Sequence, residues 1–112
     1  LLDKHGYGKK LNEAVVLLDE LQMRVPDDDQ TGYTYATVLE SNEKLAEAKE
    51  KYLELLQKNP SDDNIKLTIA DISSWLKDYT TAITYYRQVL SKRLDDVSVK
   101  AKLADAYYWS GN

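Results

Sequence analysis

Residues 43–63 read EKLAEAKEKYLELLQKNPSDD, and residues 9–29, one step of 34 earlier, read KKLNEAVVLLDELQMRVPDDD. Laid on one another, Leu11 meets Leu45, Ala14 meets Ala48, Leu21 meets Leu55 and Pro26 meets Pro60. A further step of the same length brings Ala48 onto Ala82, Tyr52 onto Tyr86 and Leu56 onto Leu90. A second column runs Ala36, Ala70, Ala104, and beside it lie Asp71 with Asp105 and Trp75 with Trp109. Of the 78 residue pairs at this spacing, 20 are identical. Composition alone gives about five, so the chain is an internal repeat.

Each unit is filled by helical periodicity. Leu11, Ala14, Val15, Leu18, Leu21 and Val25 keep to one helix face, as do Leu45, Ala48, Tyr52, Leu55 and Leu56. Tyr79, Ala82, Ile83, Tyr86, Val89 and Leu90 form the third such face. Shorter helices lie between, carrying Tyr35, Ala36 and Leu39, then Ile65, Ile69, Ala70 and Ile72, then Val99, Leu103, Ala104 and Tyr107. The longer helices run into VPDDD, NPSDD or LDD, where proline stops a helix and aspartate caps the next. Arg24, Lys58, Lys92 and Arg93 sit in their last turns, where positive charge complements the helix dipole. The pattern predicts helices over about 10–25, 29–41, 44–58, 62–76, 79–93 and 97–110. Small residues in two columns let neighbouring helices approach closely, so stacked pairs bury a core that no single unit could bury.

With 112 residues the chain has the length of one ordinary domain, and 43% hydrophobic with 30% charged residues fits a globular fold. Its net charge of −4 comes from 15 basic and 19 acidic residues that are interleaved, which argues against nucleic acid or an anionic membrane as ligand. No apolar run approaches the ~20 residues of a membrane span, so direct membrane insertion is not expected. The absence of cysteine removes disulfides and thiolate metal sites and leaves the compartment open. The opening LLDKHGYGKK has too short an apolar stretch for a signal peptide and no initiator methionine. The chain reads as a piece of a longer one.

A 34-residue helix–turn–helix unit with these residues resembles the tetratricopeptide repeat. That family pairs Leu with Gly or Ala in its first helix, matched here by Tyr35-Ala36, Ile69-Ala70 and Leu103-Ala104. Its first-helix tyrosine is matched by Tyr107, while Leu39 and Ser73 stand in the other copies. Its second-helix alanine is Ala14, Ala48 and Ala82, followed four residues on by Leu18, Tyr52 and Tyr86. The exit proline is Pro26 and Pro60, with Leu94 in the third copy, and Gly32, Lys66 and Lys100 replace the family's early tryptophan. The resemblance implies an all-α fold: a right-handed α-solenoid of antiparallel helix pairs. It divides the single segment 1–112 into the second half of a repeat (9–28), full repeats 29–62 and 63–96, and the first half of another (97–112).

Material for chemistry is sparse. His5 is the one histidine, read as a solvated surface residue. The aspartates at 27–29, 62–63 and 95–96 fit helix caps, and none has the ligand spacing of a calcium loop. Four scattered glycines make no phosphate loop. No enzyme, cofactor or metal site is expected. The resemblance implies instead a concave groove that receives a peptide or helix of a partner protein. Its register assigns Tyr33, Thr37, Glu40 and Ser41 to the groove from the first unit and Leu67, Thr68, Asp71, Ser74 and Trp75 from the second. Ala101, Lys102, Asp105, Tyr108 and Trp109 follow from the third. One subset of the family clamps a C-terminal carboxylate; Tyr33, Thr37, Thr68, Ser98 and Lys102 hold those positions, and a single lysine speaks against heat-shock-chaperone tails. Aromatics with two aspartates suit an amphipathic or partly basic segment. Asp71, facing the groove, is expected to tolerate alanine within about 0.5 kcal/mol. Trp75 and Trp109 either anchor the partner or pack on adjacent helices as repeat core. The alternatives to a binding scaffold are a structural segment that self-associates through open repeat ends, and a regulatory segment attached to an enzyme domain.

Overall fold

The computed structural model describes residues 7–111, with side chains from Lys10 onward. His5 lies outside the described residues. All regular structure among them is helical: α1 (Tyr7–Arg24), α2 (Asp29–Ser41), α3 (Leu45–Lys58), α4 (Asp63–Trp75), α5 (Tyr79–Lys92) and α6 (Val97–Trp109). The ends of α2 to α6 agree with the periodicity to within a residue. The first helix starts earlier than expected, at Tyr7, because nothing there stops it; an internal glycine costs only about 1 kcal/mol.

The turns repeat as the sequence does. Asp28, Asp62 and Asp96 precede α2, α4 and α6 with nearly the same backbone, φ/ψ of −80/105, −76/103 and −74/100. The Asp62 carboxylate accepts the backbone N–H of Asn64 at 3.0 Å and of Ile65 at 3.1 Å, and that of Asp96 accepts from Val99 at 3.1 Å. A cap of this kind stabilises its helix by roughly 1 kcal/mol. The Asp28 side chain makes no such bond to the backbone; its carboxylate accepts instead from the Thr31 hydroxyl at 2.6 Å. The far ends of the same helices repeat as well. Glu43, Lys77 and Gly111 all adopt positive φ, at 62°, 65° and 85°. Their N–H groups donate to the carbonyls of Glu40, Ser74 and Tyr108 at 3.1, 3.0 and 3.2 Å. After α2 and α4 the next N–H reaches further back, Lys44 to Leu39 at 2.8 Å and Asp78 to Ser73 at 2.7 Å, closing a left-handed helix stop.

The chain divides into two compact units, with the boundary inside α3 between Lys51 and Tyr52. In the first unit α1 packs on α2. Leu11, Leu18, Tyr35, Ala36, Leu39 and Ala48 are buried, while Ala14 and Val15 are half-buried. Leu21 and Val25, expected on the same apolar face of α1, are exposed. Leu21 is left open near the end of α1, and Val25 follows its last residue, Arg24.

In the second unit α4 packs on α5 and α5 on α6. Ala70 of α4 and Ala82 and Val89 of α5 are completely buried, and with Tyr86, Val99 and Ala106 they form one cluster. Ile65, Ile69 and Ile72 are also fully buried, each stabilising the fold by roughly 1.5–3 kcal/mol. The α6 part of the predicted core is corrected. Val99 is buried, but Ala104 and Tyr107 are exposed and Leu103 is only half-covered. The reason is topological: α5 follows α4 and closes over Ala70, whereas among the described residues no helix follows α6. Gly32 and Lys66 stand where the resembled family has tryptophan and are buried, whereas Lys100, the third residue at this position, is exposed.

Candidate partner-binding face

The expected groove residues of the second unit fall into two groups. Trp75, Asp105 and Trp109 come together with Ser74, Tyr79 and Ala106 around a cleft of about 280 Å³. Trp75 is the last residue of α4 and Tyr79 the first of α5, so the tight stop at Lys77 sets both at the mouth. Asp105 and Trp109 are one turn apart on α6 and share a face. Trp75 is 58% and Trp109 65% exposed, so neither is packed away as repeat core. Tyr108 is also exposed and meets the Trp109 ring edge-on, with centroids 5.1 Å apart and planes at 85°.

Asp71 and Lys102 belong to the second group, a polar lock joining the three helices. The Asp71 carboxylate accepts from the buried Tyr86 hydroxyl and, on its other oxygen, from the Lys102 ammonium at 3.1 Å. Burial first, then the hydrogen bond and charge of Asp71, push the Tyr86 pKa well above its ordinary value; the Asp105 charge adds to this. Asp71 and Asp105 therefore do not make the uniform acidic strip that their shared register suggests. Asp71 is compensated from within. The expectation that Asp71→Ala is nearly neutral is revised with it, since removing this carboxylate leaves a buried phenol hydroxyl to be paired again. Leu67, placed in the groove by register, packs in part against the core cluster.

In the first unit Tyr33 is half-buried and Thr37 exposed on α2. The same helix carries a different lock: the Tyr35 hydroxyl donates to Asp19 at 2.7 Å, and the Lys51 ammonium sits 4.5 Å from the centre of the Tyr35 ring. Lys51 also donates to Gln22 at 3.0 Å. Burial, then the bond to Asp19, push the Tyr35 pKa up to about 12.

Two cleft residues escaped the sequence reading. Tyr79 lies in register with Leu11 and Leu45 and reads as core; only the edge of its ring's helix, at the turn, opens it to the cleft. Ala106 carries no polar signal at all. No protein-family model matches this chain, and comparison with curated proteins finds no match. Among the described residues, no helix is long and apolar enough to cross a membrane, and no group of three potential metal ligands converges.

Proposed function

We propose that this chain is a tetratricopeptide-type segment of a right-handed α-solenoid, a non-enzymatic scaffold that receives a peptide or helix of a partner protein. The observation that carries the reading is the tryptophan column. Trp75 and Trp109 occupy the same register one repeat apart, and both present most of their surface to solvent beside a cleft. Large aromatics held open on rigid helices are the usual anchors of an interface. The 34-residue recurrence of caps and left-handed stops supports the array, because it repeats backbone geometry as well as residue type. Tyr33 and Thr37 hold the corresponding register positions of α2. The test is a photo-crosslinking residue placed at the exposed Tyr108, beside Trp109, and, separately, at the exposed Gln88 of α5, in the full-length protein. A discrete partner captured through position 108 and not through position 88 is expected. Equal capture at both positions, or none at 108, would contradict the reading.

A second reading, self-assembly, is favoured by one observation. A cleft of about 380 Å³ lined by Leu90, Leu94, Leu103 and Tyr107, with Arg87 and Ser91, opens along α5 and α6, and α1 exposes Val16 and Leu17. In register α1 is the counterpart of α5, the type of helix that covers α4. Sedimentation over a range of concentrations decides it: Leu103→Glu should abolish any association that this edge causes.

A further inference from the structure

The cleft among α4, α5 and α6 has a chemistry more specific than a general apolar groove. Its walls are the indoles of Trp75 and Trp109 and the phenol of Tyr79, and its charge is the Asp105 carboxylate. Asp105 is exposed and makes no ion pair among the described residues, whereas Asp71 already holds both Tyr86 and Lys102. One acid of the column is thus neutralised within the fold and the other is left to act outward. At about 280 Å³ the cleft falls just below the range of ~300–1,000 Å³ typical of small-molecule sites, the size for a side chain rather than a whole metabolite. Cations are drawn to the faces of aromatic rings, most strongly to indole, and a carboxylate at the same mouth adds charge pairing.

We propose that this cleft takes one cationic side chain of the partner segment, an arginine or lysine. Its charge meets Asp105, and its stem or guanidinium plane lies against Trp75 and Trp109. A neutral side chain would bury the same apolar surface and leave the carboxylate unanswered, so the cleft discriminates by charge. The inference rests on the reading of this face as the partner-binding one.

Both tryptophans of the sequence line this cleft, so intrinsic tryptophan emission reports on it alone. The probes are Nα-acetyl-arginine amide, Nα-acetyl-lysine amide and, as a neutral isostere, Nα-acetyl-citrulline amide, titrated against the whole chain at constant ionic strength. A saturable emission change is expected with the cationic probes, with at least tenfold weaker affinity for citrulline. Asp105→Asn should weaken the arginine probe about tenfold and leave citrulline unchanged, a difference worth about 1.4 kcal/mol. Equal affinity for arginine and citrulline, no saturable change with any probe, or an Asp105→Asn variant that binds arginine as before would each overturn the cation site. The two readings fail separately. A segment captured through position 108 that contains no basic residue removes the cation site and keeps the binding face. Probe binding without any captured partner does the reverse.

Discussion

The two units solve one problem, anchoring a tyrosine hydroxyl between helices, with opposite geometry. In the first, Tyr35 of α2 donates to Asp19 of α1. In the second, Tyr86 of α5 donates to Asp71 of α4, with Lys102 of α6 on the other oxygen. Tyrosine and acid have exchanged helix types between the two locks. Asp19 is in register with Leu53 and Arg87, and Tyr35 with Ile69 and Leu103, so neither lock is a copy of the other. The repeat conserves backbone turns and small packing residues; each unit then satisfies its own polar groups. What recurs is the frame.

The largest expected effect tests that frame. Ala70→Leu or Ala82→Leu should destabilise by about 1–3 kcal/mol, since each alanine is completely buried where α4 meets α5. Ala104→Leu, one repeat on from Ala70 but exposed, should stay within about 0.5 kcal/mol. Urea midpoints of the three variants measure the difference, and equal costs would break the contrast between α4 and α6.

The locks come next. Tyr86→Phe should cost about 1.5–2 kcal/mol, because it removes a hydrogen bond to a charged acceptor and leaves Asp71 with Lys102 alone. Tyr35→Phe should cost less, about 0.5–1 kcal/mol, because its acceptor Asp19 is exposed and can turn to water. Calorimetric unfolding of the two variants ranks them; the reverse order would mean that the wet lock is the stronger.

Alkali should act on both. Unfolded tyrosine loses its proton near pH ~10. Tyr35 holds its proton to about 12, and Tyr86 is likewise shifted upward. The contribution is intact below pH ~10 and is lost as pH rises from there through the folded values, since over that span the folded chain binds more protons than the unfolded one. Comparing urea midpoints at about pH 9 and about pH 11.5 should show a fall that the Tyr35→Phe, Tyr86→Phe double variant reduces.

The smallest effect belongs to the turns. Lys77 sits at φ 65°, where a side chain costs roughly 1–2 kcal/mol, and its register partner is Gly111. Lys77→Gly should therefore raise stability by about 0.5–1 kcal/mol after glycine's own entropy is set against it. A loss in thermal unfolding would show that the left-handed stop is not strained.

The frame was legible because it is local. A 3.6-residue stripe ending in proline or a capping aspartate states a helix without reference to anything distant, and α2 to α6 follow it closely. The locks were not legible. Tyr52 and Tyr86 share a register, yet whether an acid stands opposite depends on the facing helix, and the counterpart of Asp71 in α2 is Thr37. Ala104 misleads for the same reason: its spacing says core, but burial needs a neighbour. The cleft was half legible. Trp75 and Trp109 recur in one column and Asp105 in the neighbouring one, while Tyr79 enters from the next helix through a turn whose angle no periodicity encodes.

The proposed function depends on the tryptophan column being surface rather than core, and one measurement reaches that directly. The Trp75→Ala, Trp109→Ala double variant is unfolded in urea and followed by far-ultraviolet circular dichroism, which needs no tryptophan. With both rings mostly exposed, the combined loss should be no more than about 1 kcal/mol. A loss of about 3–5 kcal/mol for each ring, the cost of emptying a packed aromatic site, would contradict the account.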